Sequence, residues 1–365
     1  MVSALNGLKT RLFGMELQSP FIVGSGPLAF DGPALVRAHK AGAGAVTTKT
    51  IRDEPAENPF PHMALAGRDS LINSEKWSDL SGEDWVGREI PMAKDSGVVV
   101  IASIGHTAPE VERWVGRVDE AGADIIELVS YNAADLAPMV RMAKSQSRKP
   151  VLAKISPNWA DPVACAEVAS AAGADGITAM DSVGPVLRID IRSGKPLVGG
   201  ENGSGWLSGA AIKPIALRYV AEIAARCHKP IVGTGGVFNS EDAVEMLMAG
   251  ATVVGICSAL ILKGIGYIEE LSGKLAELMA ELGYDSVASM SSLSLPYFGL
   301  AENHRKGHFE FDEKRCTACG LCSRVCAYGA RALEGRQMRL DEERCRLCGL
   351  CASVCPTGAL GYELE

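Results

Sequence analysis

VERWVGRVDEAGADIIELVSYNAAD (residues 111–135) contains the pattern that decides the fold. It opens in an amphipathic helical pattern that stops at Ala-Gly-Ala (121–123). The run IIELVS (125–130) follows, apolar on both faces except for Glu127, and empties into the polar Ser130, Tyr131 and Asn132. A strand apolar on both faces belongs in a covered parallel sheet, and its polar end is where such sheets carry chemistry.

The same step recurs along the chain. Strands are expected at 21–26, 45–50, 98–105, 125–130, 151–156, 176–180, 230–236 and 253–259, with helical patterns between them. Ala-Gly-Ala closes helices at 41–43, 121–123, 172–174 and 249–251. Glycine there supplies the left-handed residue that stops a helix. Eight βα units predict an α/β fold, a (β/α)8 barrel over residues 1–283. An open doubly wound sheet is the alternative. However, GSGPLA (24–29) offers only G-x-G, without the third glycine or the later acid of a dinucleotide site. Two connections, about 51–97 and 181–210, far exceed the usual two to six residues. In a barrel both fall on the active-site face, as walls or a lid. Lys49 and Lys154 sit on strands that should be buried, so each needs a partner in the barrel mouth. GTGGVFNSED (233–242) and VVGICSAL (253–260) end the last two strands, where barrels bind phosphate. NSED (239–242) is also simply a good helix cap.

The cysteines divide the chain. Cys165, Cys227 and Cys257 are scattered, whereas eight of the 11 fall between Cys316 and Cys355. RCTACGLCSRVCAYGA (315–330) and RCRLCGLCASVCPTGA (344–359) each read C-x2-C-x2-C-x3-C. This is the bacterial ferredoxin spacing, in which the fourth cysteine serves the other cluster. One [4Fe–4S] cluster is thus expected on Cys316, Cys319, Cys322 and Cys355, the other on Cys345, Cys348, Cys351 and Cys326. Two zinc sites are the alternative, but those pair C-x2-C units across longer gaps. A C-terminal α+β two-cluster ferredoxin domain is expected over 311–365, joined by a linker at 284–310. Ala327 stands where Pro356 stands in the second run, a change that removes no ligand.

The net charge of −8 and the absence of a long basic run argue against nucleic acid as a partner. No apolar stretch reaches the 18 residues of a membrane span, and the N-terminus lacks a signal-peptide core, so a cytoplasmic protein is expected.

Taken in order, SPFIVGSGPL, GAGAVTTKT, DSLINSEKWS, PVLAKISPNWAD, GADGITAMDSV, GWLSGAAIKPIAL, PIVGTGGVFNSEDA and VGICSAL resemble the class 1 dihydroorotate dehydrogenase family. Within it they look like the FMN and iron–sulfur subunit of bacterial dihydropyrimidine dehydrogenases. The resemblance implies FMN in the barrel, against Ser25 and Gly26. Lys49 would lie near flavin and substrate, and Lys154 would hydrogen-bond the pyrimidine edge of the flavin. Ser208 and Gly209 would hold the ribityl and phosphate end, with Gly235, Gly236, Cys257 and Ser258 along the phosphate. Asn73 would face the substrate. A homo-oligomer is implied too. Electrons would come from an NADH-oxidising flavoprotein subunit or a soluble ferredoxin.

The chain departs from the family on the substrate side. The loop after the fourth strand lacks the usual cysteine acid and is shorter, Asp181 replaces an expected asparagine, and His62 stands where an arginine is expected. Tyr131 is the first candidate for the missing proton donor, Ser130 the second, and His106, which ordinarily titrates near neutrality, the third. Asn132 and Asp181 face the substrate in this reading. For these polar residues the plain alternative is a helix cap or a bond to backbone. Three functions follow: an oxidoreductase acting on a CH–CH or C=C bond of a small cyclic amide, the same chemistry on another ring or acid, or an electron-transfer subunit using FMN as a relay.

Overall fold

The computed structural model describes residues 7–298, 307–335 and 337–364. The chain divides into two compact units, residues 1–298 and 299–365.

The first unit is a closed barrel of eight parallel strands. In chain order they are β1 (Phe21–Val23), β2 (Ala45–Thr47), β3 (Val100–Gly105), β4 (Ile125–Val129), β5 (Val151–Ile155), β6 (Gly176–Ala179), β7 (Ile231–Thr234) and β8 (Val253–Ile256). All eight fall inside the stretches expected as strands. The helices between them cover the outer face. The Ala-Gly-Ala stops are real: Gly42, Gly122, Gly173 and Gly250 have φ of 105°, 101°, 110° and 113°. After each, the next alanine amide bonds back to a carbonyl in the last turn, as Ala123 N does to Val118 O at 3.0 Å. This is the six-to-one closure of a Schellman cap.

Alternation along the strands decides what the barrel encloses. Ile22, Ala45, Ile101, Ile125, Leu152, Val232 and Val253 form one buried cluster inside it. A hairpin, Thr10–Leu12 with Met15–Leu17, adds Leu12 and Leu17 to that cluster. The opposite residues, such as Val100, Ile126, Leu128, Val151 and Ala153, pack in the separate core shared with the helices. Two residues further along, the inward positions become Ser103, Glu127 and Lys154, and Glu127 meets Thr178. The interior therefore changes from apolar to polar toward the C-terminal mouth.

The two long connections fold together. Met63–Gly67 and Ser70–Asn73 from the first, with Val183–Val186 and Gly205–Gly209 from the second, form one antiparallel sheet. Gly209 pairs with Ser70 at φ 92°, and a Cβ there would lie 2.4 Å from Asp69 O, so the close approach requires glycine.

The stretch expected to link the units is divided between them. Residues 287–290 are helical, with Val287 and Met290 buried against the barrel core, and Ser292 N bonds to Leu247 O. Residues 299–306 lie outside the described residues, and Gly307 already begins a strand of the second unit.

The second unit repeats itself. Short helices Leu321–Arg324 and Leu350–Ser353 follow Gly320 and Gly349, both left-handed. Ala318 and Leu347, the residues before the second cysteine of each run, share φ of 55° and 52°. Gly307–Phe311 pairs with Leu360–Leu364, and Arg331–Glu334 with Gln337–Leu340. Cys322, Cys351 and Leu360 form its small core.

Leu17 is fully buried in the hairpin plug. Replacing it with alanine is expected to cost about 2–5 kcal/mol, as for other buried leucines. Thermal unfolding should show a lower midpoint for L17A with the iron content of the chain unchanged.

Candidate active site and cluster sites

The barrel mouth is built on charged side chains that the alternation forces inward. Lys154 on β5 has a side chain 13% exposed, and its Nζ lies 3.4 Å from Asp181 Oδ2. Burial alone would lower the Lys154 ammonium, but the carboxylates of Asp181 and Glu127 outweigh it and hold the pKa above the usual lysine value. Glu127 on β4 accepts a hydrogen bond from Thr178 Oγ1 at 2.8 Å through Oε2, while its Oε1 is buried without a partner. Burial pushes the Glu127 carboxyl up, against the pull of Lys154 and Thr178. Lys49, after β2, pairs with Glu75 at 3.0 Å and Asp79 at 2.7 Å. Both lysines thus have acidic protein partners, and those of Lys49 come from the first long connection.

An aromatic and charged edge occupies the ends of β3 and β4. His106 packs edge-on against Tyr131, with ring centroids 4.3 Å apart, and against Trp77 at 5.9 Å. Arg52 lies 4.4 Å over the Trp77 ring and donates to Glu110 Oε1 at 2.7 Å. Glu110 also accepts from the His106 amide and from Thr107 Oγ1, fixing the turn after β3. Trp159 Nε1 donates to Tyr131 O at 3.1 Å.

Each donor candidate has a definite setting. Burial, aided by Arg52, lowers the His106 pKa to about 4, so this histidine is neutral near pH 7 and does not titrate there as an ordinary one would. Tyr131 is 64% exposed, and the partial burial of its side chain together with Asp181 raises its pKa. No cation close by overcomes that rise, so the phenol stays protonated, the form that donates. Ser130 is buried, and its Oγ accepts from Asn132 N at 3.1 Å. Asn132 caps the helix Ala133–Gln146 by accepting from Ala134 N, a structural role. Asn73 lies on the connection sheet, and its amide reaches Trp206 O at 3.5 Å. His62 bonds locally to Pro59 O at 3.2 Å. Arg52, Trp77, Glu75 and Asp79 escaped sequence reading. Glu75 and Trp77 fall inside the family-like segment DSLINSEKWS (69–78), while the signal for Arg52 and Asp79 is their place in an overlong connection.

The other side of the mouth fits a phosphorylated cofactor. Among the described residues, the amides of Gly235, Gly236, Cys257 and Ser258 have no protein acceptor. Donors of this kind at two neighbouring strand ends suit an anion. Gly235 and Gly236 have φ of 131° and 82°, and a Cβ on Gly236 would meet Lys213 at 2.6 Å. Ser258 Oγ and Ser208 Oγ lie 2.9 Å apart, tying the connection sheet to the end of β8. Ser25 and Gly26 follow β1, where a Cβ on Gly26 would come within 3.1 Å of Cys257 Sγ. Burial pushes the Cys257 thiol up to about 11, so it packs there as a neutral group.

In the second unit the cysteines gather in two sets. Cys316, Cys319, Cys322 and Cys355 line one pocket, and Cys326, Cys345, Cys348 and Cys351 line another. The amides of Ala318 and Ala330 donate to Cys316 Sγ and Cys326 Sγ at 3.4 and 3.3 Å. Each pocket takes three cysteines from one run and the last from the other, the ligand arrangement of two-cluster ferredoxins.

A family model described as dihydroorotate dehydrogenase matches residues 7–279, and one described as a 4Fe-4S dicluster domain matches residues 315–359. The dihydroorotate dehydrogenase B (NAD(+)) catalytic subunit of Pyrococcus horikoshii is 32% identical over 301 residues, covering 79% of this chain and 98% of that one. The same-named subunit of Thermoplasma volcanium is 33% identical over 306 residues, covering 80% and 99%. The NAD-dependent dihydropyrimidine dehydrogenase subunit PreA of Escherichia coli is 29% identical over 348 residues, covering 87% and 84%. The chain belongs to the dihydroorotate dehydrogenase family. It is an iron–sulfur flavin oxidoreductase acting on CH–CH bonds, with FMN and 4Fe–4S cofactors. Among the described residues no helix is long and apolar enough to cross a membrane.

With a folded-state pKa of about 4 against an ordinary 6.5, His106 is protonated more readily in the unfolded chain. Stability from this group is complete above about pH 6.5 and is lost as the pH falls toward 4. Imidazole NMR signals of His106 should hold their neutral positions from pH 8 to about 5.5. The variant H106Q should lose less stability than the parent between pH 6.5 and 4.

Proposed function

We propose that this iron–sulfur member of the dihydroorotate dehydrogenase family interconverts C=C and CH–CH bonds in a small planar unsaturated compound, a cyclic amide of the dihydropyrimidine type. Electrons would reach or leave it through two [4Fe–4S] clusters and an electron-transfer protein. The observation that carries the reading is the presence, in one chain, of a lysine-bearing barrel mouth and two pockets of four cysteines. The match to PreA runs over 348 residues, against 301 for the P. horikoshii subunit, which favours the pyrimidine-dehydrogenase arrangement.

FMN supplies hydride exchange at its N5 and the change between two-electron and one-electron transfer. The chain supplies the surroundings. The amides of Gly235, Gly236, Cys257 and Ser258 would hold the phosphate. Ser208, Gly209, Ser25 and Gly26 would line the rest, with Lys49 and Lys154 as fixed cations at the ring. Lys154 keeps its charge because Asp181 stands 3.4 Å away. Asn73 and Asp181 would border the substrate, and the Trp77, His106 and Tyr131 rings, packed edge to face, would give that side a partly apolar wall.

Reducing a C=C bond adds a hydride equivalent to one carbon and a proton to the other. Tyr131 would deliver that proton from its phenol and regain one from water, which its exposure permits. Ser130 ranks behind it because its Oγ already accepts from Asn132 N. His106, neutral, would hold the Tyr131 ring in place rather than donate.

Replacing Tyr131 with Phe should slow turnover by about 100-fold or more, the usual worth of a placed general acid, and leave the flavin reducible. Reoxidation of the reduced enzyme, without oxygen, against a panel of unsaturated cyclic amides, acids and heterocycles tests the substrate class. Rapid reoxidation by cyclic amides supports the proposal. Reoxidation by acids alone would move the substrate class, and reoxidation by none would leave FMN as a relay.

A further inference from the structure

The internal repeat of the second unit places two cysteine pockets in matched surroundings and shows where they differ. Counted from the fourth cysteine of each run, Cys326-Ala-Tyr-Gly-Ala-Arg331 matches Cys355-Pro-Thr-Gly-Ala-Leu360. Leu360 is 4% exposed and lines the pocket of Cys316, Cys319, Cys322 and Cys355. Arg331 is only 6% exposed and lines the pocket of Cys326, Cys345, Cys348 and Cys351.

A buried arginine in place of a leucine needs an electrostatic reason. Arg331 Nε and Nη2 are buried without a hydrogen-bond acceptor. Its guanidinium lies 4.6 Å from the centre of the Phe309 ring, which lines the same pocket. Among the described residues no carboxylate pairs with it, although the chain is acidic. A cation left in this state is costly unless an anion joins it. A [4Fe–4S] core held by four thiolates is such an anion, and its sulfurs accept N–H bonds.

We propose that Arg331 is the charge partner of the cluster held by Cys326, Cys345, Cys348 and Cys351, and makes it the first of the two to be reduced. One electron passes from an external one-electron donor to that cluster, which becomes more negative by one charge. No bond is made or broken, and the guanidinium keeps its protons. A neighbouring cation in a poorly polarisable interior stabilises the added electron. The Arg331 charge also reaches Cys322 of the other set, but the side chain lines the pocket of Cys326, Cys345, Cys348 and Cys351, and the matching residue in the other pocket, Leu360, carries no charge. The inference rests on the assignment of two clusters to the eight cysteines.

The test uses the full chain, loaded with its clusters without oxygen and titrated potentiometrically under EPR. The parent should reduce in two separate one-electron waves. Arg331→Gln should lower the upper wave by at least tenfold in the reduction equilibrium, about 59 mV for one electron, while Arg331→Lys should keep most of the separation. Iron and sulfide analysis checks the underlying assignment separately: about eight irons per parent chain are expected from two [4Fe–4S] clusters, and about half that number would sink the two-cluster reading itself. With both proteins fully loaded, coincident titrations of the parent and Arg331→Gln overturn the role of Arg331. If Arg331→Gln does not hold its clusters, Leu360→Arg decides: its lower wave should rise by a similar factor, and an unmoved wave overturns the inference.

Discussion

The protein depends on a charged layer enclosed by its own barrel. Strand alternation fixes it: a strand that points Ile125 inward must also point Glu127 inward, and one that points Leu152 inward must also point Lys154. The lower positions fill an apolar plug with the hairpin leucines. The upper ones leave an ammonium and a carboxyl in a space that water reaches poorly. Such a layer is tolerable only if its charges are balanced, and Asp181 at the end of β6 does most of that work. The layer gives the barrel a positive side chain, Lys154, in its mouth. A scaffold under selection for stability alone would place hydrophobic residues there.

The surrounding walls follow from the same constraint. Two connections of unusual length follow the barrel strands and hydrogen-bond to each other as one sheet. The first of them returns Glu75 and Asp79 to Lys49, and Arg52 to the Trp77 face. The second brings Ser208 to Ser258 at the end of β8. The mouth is therefore made by two kinds of backbone: strand ends, where Lys154, Gly235, Gly236, Cys257 and Ser258 lie, and the connection sheet, where Asn73 and Ser208 lie. The departures from the family pattern read in the sequence lie in the β4 loop, at Asp181 and at His62.

The barrel was legible because its signals are local. Apolar runs of five or six residues and the repeated Ala-Gly-Ala stop need no knowledge of distant partners, and the structure returns all eight strands. The cysteine spacing was legible for the same reason, and the fold gathers those side chains into the two expected sets. What sequence reading missed is non-local. The pairing of Ser70–Asn73 with Gly205–Gly209 joins segments more than a hundred residues apart, and Lys49 finds its carboxylates on a segment with no helix or strand pattern of its own. The neutrality of His106 was equally hidden, because it comes from burial beneath Trp77 and Tyr131 rather than from any neighbour in the chain. The linker was drawn too early because residues 287–290 make a short, weakly patterned helix, and only the packing of Val287 and Met290 shows that it belongs to the barrel.

The most direct test of the account measures FMN affinity after the charged layer is altered. If Lys154 is the cation that faces the cofactor, Lys154→Met should weaken FMN binding by at least tenfold and change the flavin absorption of what remains bound. Lys154→Met combined with Glu127→Gln should fold as well as the parent and bind FMN no better than the single variant. A Lys154→Met protein that binds FMN with parental affinity and an unchanged spectrum would contradict the account.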